Sequence, residues 1–536
     1  MNFLTILLIA IVLFAIALKT YGGYLAKFVG LDNKNKTPAH TMTDGVDYVP
    51  ATAPVLMGHH FASIAGGGPI LGPIQASVFG WLPCFLWIVL GSIFIGGVHD
   101  FMALISSVRH EGKTVGEVIG KNVGKSAKTL FLIFVWLALV LVIAVFAILV
   151  ANTFAANPSV ATASILFMVI AVGMGFALYR KGVSLSIVTI IGVILLFVSI
   201  WIGLRAPFAL GAKTWIYLLL VYVFFASALP VWTLLQPRDY LSSFLLYTAL
   251  GGAVIGILLG APKLELPAFT AFKQPVGYLF PMLFVIIACG AISGFHSLCS
   301  SGTTSKQLNK ETDAQVIGYG AMLLEGLLAV IALGTAAMLT KAGLADGLAN
   351  WGGPVGVFAH GMGNFLANLG IAEKTGIAFG ALTVSAFLLT TLDTATRLGR
   401  YALEELTAGW APALSNRYVA TIITVIFGGA LALSGTWSAI WPVFGASNQL
   451  LAGLALLGAT AWLAHMGKKY TVTLYPMIFM IAVTVVALIT MVFQNFAKGN
   501  YLLGVVSLVL LVLAGFVINE GIKAINKFKT MSAKAE

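Results

Sequence analysis

The sequence predicts an all-α polytopic membrane protein whose helices form an internal inverted repeat. Three observations predict it: the composition, the placement of the basic residues, and two interrupted apolar helices. Of 536 residues, 60% are hydrophobic and 9% charged, and the mean hydropathy is +1.00. A soluble globular chain carries about 25% charged residues, so this one lacks the polar surface to cover a water-facing globule. Apolar runs of about 17 residues or more recur along the whole chain, each long enough to cross a bilayer core.

About fifteen candidate helices follow from hydropathy. They lie near 2–18, 55–77, 81–108, 129–151, 162–179, 184–203, 216–237, 241–260, 278–300, 315–340, 376–396, 418–434, 438–462, 474–493 and 501–519. The first is followed by Lys19, Lys27, Lys34 and Lys36 and by no small-residue cleavage site, so it reads as a retained membrane helix, with a signal peptide as the lesser alternative. With the N-terminus outside and each span alternating, about 23 of the 30 Lys and Arg fall inside. The net charge of +12 is then the signature of positive-inside loops, and the nucleic-acid reading falls away. Cys84, Cys289 and Cys299 lie in apolar surroundings without CxxC spacing, which gives neither a disulfide framework nor a structural zinc site.

Two segments depart from ordinary membrane helix. One is HHFASIAGGGPILGPIQA, His59 to Ala76; the other is SALPVWTLLQPRDY, Ser227 to Tyr240. Proline removes a backbone donor and clashes with the preceding turn, and broken backbone at membrane depth must be buried in protein or line a wet cavity. Between the two lie four intact spans, so five helices with a broken first member are followed by a second set that also begins broken. Five is odd, so the sets are inverted, the LeuT-like arrangement of secondary transporters. The chain divides accordingly into 1–50, an N-terminal helix and linker; 51–210 and 211–410, the two repeats; and 411–536, about four further helices and a basic tail.

The polar residues at membrane depth are functional candidates, because ionisable side chains there are costly. Backbone at Gly66, Gly67 and Gly68 approaches a ligand easily, since glycine takes unusual dihedrals cheaply; with Gln75, Trp232 and Gln236 it frames a candidate substrate site. His59, His60, His99, Asp100, His296 and Asp239 are the coupling candidates, drawn from separate spans at one depth. Thr390, Thr391, Asp393 and Arg397 sit toward the same face, and Glu325 lies near the midplane. Three readings of the histidines compete: proton coupling, since imidazole titrates near neutrality; a metal site of His59, His60, His99 and His296; and simple donation to carbonyls freed by the breaks. Ser300, Ser301 and Thr303 could offer oxygen to Na⁺, or could cap their own helix end. There is no GxxxxGK[ST] motif, so nucleotide binding is rejected.

Four motifs carry a family resemblance: GHHFASIAGGGPILGPIQA, GVHDFMALISSVRHEGKTVGEVIG, LLQPRDYLSSFLLY and ISGFHSLCSSGTTSKQL. They resemble the carbon starvation protein A family of bacterial inner-membrane transporters, in order from about Gly22 to beyond Arg400. The resemblance implies import of peptides, or of pyruvate as in close relatives, during carbon starvation. It implies no cofactor beyond a coupled H⁺ or Na⁺, a small-molecule substrate, the lipid bilayer as surroundings and no enzymatic activity. Two other classes compete: a nutrient-sensing membrane receptor on the same fold, for which the tail after Glu520 is short, and a histidine-cluster membrane metalloprotein.

Overall fold

The computed structural model describes the backbone of residues 2–45, 47–230, 233–435 and 437–535, and their side chains except at 236, 437 and 529–535. It is helical almost throughout. The first span is α1 (Phe3–Lys19) with α2 (Tyr21–Val29), followed by the short α3 (Pro38–Thr41). Then come α4 (Ala53–Ile64), α5 (Gly68–Ala76), α6 (Trp81–Gly91), a π-helical stretch (Ser92–Gly96) and α7 (Gly97–Val108). The short α8 (Val115–Asn122) leads to α9 (Lys125–Ala156), α10 (Pro158–Lys181), α11 (Leu185–Arg205), α12 (Ala212–Ala228) and α13 (Leu235–Gly260). A two-stranded hairpin, β1 (Lys273–Gln274) and β2 (Gly277–Tyr278), precedes α14 (Leu279–Ile286) and α15 (Gly294–Gly302). A second π-helical stretch (Gln315–Gly320) opens α16 (Ala321–Ala337); α17 (Lys341–Asn350), α18 (Pro354–Ala367), α19 (Glu373–Thr407) and α20 (Arg417–Ser434) follow. The chain ends with α21 (Trp437–His465), α22 (Thr471–Ala497) and α23 (Tyr501–Ala535).

Among the described residues, twelve helices are long and apolar enough to cross a bilayer, and α12 is a shorter apolar one. The two interrupted pairs α4/α5 and α14/α15 complete the set of about fifteen read from hydropathy. α9 and α19 run against each other through the middle, and α21 is the most enclosed span. α10 and α11 form a hairpin packed mainly on itself, with Ile187, Ile190, Ile194 and Trp201 of α11 exposed.

The first interruption lies where the sequence places it, at 65–67 between α4 and α5. The second does not lie at Ser227–Tyr240. There α12 ends at Ala228 and α13 starts at Leu235. The 26 residues of α13 reach about 39 Å, enough to cross alone, so the proline-rich segment joins two helices instead of breaking one. Pro237 stands in the first turn of α13, where a missing N–H costs little. The second interruption is at 287–293, inside the span 278–300 that hydropathy reads as intact. Six spans therefore separate the breaks, not four.

The hydropathy reading also leaves 341–375 without a helix, whereas α17 and α18 fill most of it. α18 carries His360 and Asn364 among its apolar residues, and Val357, Phe358 and Phe365 bury it against α13, α16 and α19. It is 14 residues long, too short for a window sized to the bilayer.

Candidate coupling and substrate site

The two breaks touch. A Cβ at Gly68 would lie 2.5 Å from Cys289 Sγ, and one at Gly72 would lie 2.5 Å from the Ile286 carbonyl. Likewise Gly66 abuts Thr391 and Gly67 abuts Leu388, both on α19. The run of glycines thus lets side chains of α19 and of the second break pack directly on its backbone.

Interrupting a helix in an apolar medium strands carbonyls and N–H groups. At 287–293 they are met by side chains from other helices. Trp87 Nε1 donates to the Ile287 carbonyl at 3.1 Å, and Ser92 Oγ to the Gly290 carbonyl at 3.1 Å. Gln449 Nε2 donates to the Ile287 carbonyl at 3.2 Å and also to that of Phe284. Asn448 takes the Phe295 N–H on Oδ1 at 2.9 Å and donates from Nδ2 to Ser293 Oγ at 2.9 Å. None of these four caps figured among the sequence candidates. The only sequence signal for two of them is an adjacent amide pair, Asn448 and Gln449, inside an apolar helix.

Beside the breaks, four titratable side chains form a buried chain across three helices. His99 Nδ1 meets Asp100 Oδ1 at 2.7 Å, and His296 Nδ1 meets Asp100 Oδ2 at 2.8 Å. Glu325 Oε2 stands 3.2 Å from His296 Nε2, close but off-line for a hydrogen bond. All four side chains are buried. An ionised carboxylate only accepts, so Asp100 fixes a proton on each facing Nδ1 and leaves each Nε2 able to take or release one. His99 Nε2 and both Glu325 oxygens have no hydrogen-bond partner among the described residues. Buried polar groups are normally satisfied; these atoms are exceptions, and chemically each is a position where a proton can bind.

The other candidates separate. His60 Nδ1 meets Thr304 Oγ1 at 2.8 Å and is not hydrogen-bonded to the Asp100 chain, and half-buried His59 lines a pocket of about 170 Å³ with Tyr240 and Gln307. The proposed metal set of His59, His60, His99 and His296 does not converge: His60 turns to Thr304, and His99 and His296 turn to Asp100; no group of three His, Cys, Asp or Glu suited to a metal occurs among the described residues. Ser301 Oγ donates to the Ser297 carbonyl at 2.7 Å and Thr303 Oγ1 to that of Cys299 at 2.9 Å, the self-capping alternative; Ser300 Oγ is buried without a partner. Gln75 is half-buried and lines a cavity of about 520 Å³. Trp232 and the side chain of Gln236 lie outside the described residues.

Asp239 is hydrogen-bonded within a second buried cluster. Arg238 Nη2 donates to Asp239 Oδ1 at 2.9 Å, and Arg238 Nη1 to Tyr222 Oη at 2.8 Å and to Asp393. Tyr222 Oη donates to Asp393 Oδ2 at 2.7 Å. One turn further along α19, Arg397 Nη2 donates to the Ala226 and Leu229 carbonyls at 2.8 and 2.6 Å, where α12 ends. Cations favour the negative end of a helix. α19 thereby clamps the corner between α12 and α13.

A helical bundle crossed by two interrupted helices, with ionisable groups buried beside the breaks, defines a multi-pass membrane transporter of the LeuT-like class. In fold it is similar to a manganese transporter from Eremococcus coleocola crystallised with an aromatic bis-isothiourea compound: the TM-score is 0.52 at 13% identity, over 91% of this chain and 99% of that one.

The chain belongs to the carbon starvation protein CstA family, whose model matches residues 2–346 and 344–487. The peptide transporter CstA of Campylobacter jejuni is 35% identical over 93% of this chain and 81% of its own. That of Bacillus subtilis is 33% identical over 98% and 97%. The pyruvate/proton symporter BtsT of Escherichia coli is 33% identical over 90% and 81%. The relatives are named as transporters, not enzymes, in line with the non-enzymatic reading.

Proposed function

We propose that this protein imports peptides, or a small carboxylate such as pyruvate, across the bacterial inner membrane during carbon starvation, by symport with protons and alternating access. The observation that carries this reading is the buried Asp100–His296–Glu325 chain lying beside two crossed helix breaks. A proton arriving there changes the charge of a group that ties α7 to α15, and so biases one helix arrangement over another. The names of relatives, peptide transporter and pyruvate/proton symporter, support the substrate classes and the ion.

In this reading α4/α5 and α14/α15 are the first members of the two inverted repeats. The α10–α11 hairpin is then an insertion; setting it aside restores four helices between the breaks. The N-terminus lies outside and the basic C-terminus in the cytoplasm, as the positive-inside rule directs.

Uptake of labelled pyruvate and alanyl-alanine into proteoliposomes, with the H⁺ and Na⁺ gradients imposed separately, tests the proposal. Accumulation driven by an inward H⁺ gradient and abolished by a protonophore is expected. Uptake that follows only the Na⁺ gradient overturns proton coupling, and no uptake of either substrate overturns transport of these classes.

A further inference from the structure

The cavity of about 520 Å³ that Gln75 enters lies within the roughly 300–1,000 Å³ usual for small-ligand sites. Its walls come from parts of the chain far apart in sequence. Gln75 belongs to α5, one half of the first broken helix. Met282 and Ile286 belong to α14, one half of the second. Buried Trp441 belongs to α21, the helix whose Asn448 and Gln449 cap the second break. The cavity thus touches one half of each interrupted helix and reaches the edge of the second interruption at Ile286.

The lining has one sign of charge. Apolar and aromatic groups make up most of it, amides are interspersed, and Lys498, at the end of α22, is the one ionised side chain among the described lining residues. A lysine at a helix C-terminus also favours the helix dipole, but the dipole does not require an apolar cavity with no carboxylate around it. A carboxylate-bearing solute finds here a cation, amide donors and an apolar wall.

We propose that this cavity is a capture site for the carboxylate of the solute before it reaches the breaks, with Lys498 and Gln75 as its recognition groups. The proposal rests on the transport reading above, in which the solute carries a carboxylate and α5 ends on the outer side. Charge selects the class, and the apolar wall accepts a methyl or peptide side chain.

Two measurements test it. In vesicles, Lys498→Gln is expected to raise KM for pyruvate or alanyl-alanine about 3- to 5-fold at unchanged kcat, the range of a solvent-accessible ion pair. Lys498→Glu should raise it about tenfold, and Lys498→Arg should restore it. Separately, Gln494→Cys in intact cells is treated with a membrane-impermeant anionic thiol reagent. The native cysteines are buried, so background labelling is low. Pyruvate or alanyl-alanine is expected to slow labelling, and Lys498→Glu to slow it without either. Protection in a protein that transports neither solute upholds the site and overturns the transport reading. Transport with no protection, and with KM unmoved by Lys498→Glu, overturns the site.

Discussion

Asp100 and His296 lie 2.8 Å apart, oxygen to nitrogen, with both side chains buried, and this contact ties α7 to α15. Asp100 accepts from His99 on its other oxygen, so one carboxylate holds two imidazoles in place. The replacement Asp100→Asn keeps the shape but turns an N–H toward one of those rings. A hydrogen bond to a charged group is worth about 1.5–3 kcal/mol. Proton-driven accumulation is therefore expected to fall about tenfold or more, while solute exchange without a gradient is retained. Driven uptake equal to that of the unaltered protein would show the chain to be structural.

The contact between the breaks predicts a steric effect. A Cβ at Gly72 meets the Ile286 carbonyl, which belongs to backbone and cannot rotate away. Gly72→Val is expected to cost about 1–3 kcal/mol by overpacking. Gly173→Ala is the control: it is helical with nothing within 4 Å, and alanine there gains up to about 1 kcal/mol. Thermal unfolding in detergent separates them, and equal midpoints would refute the close crossing.

Asn448 and Gln449 predict a different kind of loss. Asn448→Leu strands the Phe295 N–H and the Ser293 hydroxyl, and Gln449→Leu strands the Ile287 carbonyl on one side. Each is expected to cost about 1–3 kcal/mol. The loosened break should also open Cys289, now buried, to thiol reagents. Unchanged reactivity of Cys289 in Asn448→Leu would count against the cap.

Arg238 predicts non-additivity. Arg238→Met leaves Asp239 and Asp393 buried together without their cation, a loss of about 3–5 kcal/mol. Adding Asp393→Asn removes one of the stranded charges, so the pair should cost less than the sum, by about 0.5–3 kcal/mol. Arg238→Lys should not rescue, because an ammonium cannot reproduce a planar fork reaching three partners. A strictly additive cycle would mean that the groups act independently.

The span positions and the first break are legible in the sequence because their signals are local. Three glycines followed by proline announce 65–67 without reference to anything else. The break at 287–293 is hidden because its hydrogen bonds come from Trp87, Ser92 and Gln449, which no window around it contains. The segment 227–240 misleads for a related reason: a proline in a first helical turn and a proline at a break look alike until the lengths of α12 and α13 are known. Depth groups His99, Asp100 and His296, which the structure joins by hydrogen bonds. It also takes in His60 and Asp239, but depth fixes height in the membrane and not the face of the helix, and their hydrogen bonds go to Thr304 and Arg238.

The caps on the second break carry a consequence for how such a chain can change over generations. Local irregularity is usually guarded by local residues, so a change and its remedy lie side by side. Here the remedy lies about 160 positions away, on α21, and on α6 some 200 positions earlier. A substitution that altered the course of 287–293 would survive only with matching changes at 449 and 87. In a set of aligned relatives these distant columns should vary together, and their joint pattern would mark the irregular segment even where glycine and proline give no sign of it.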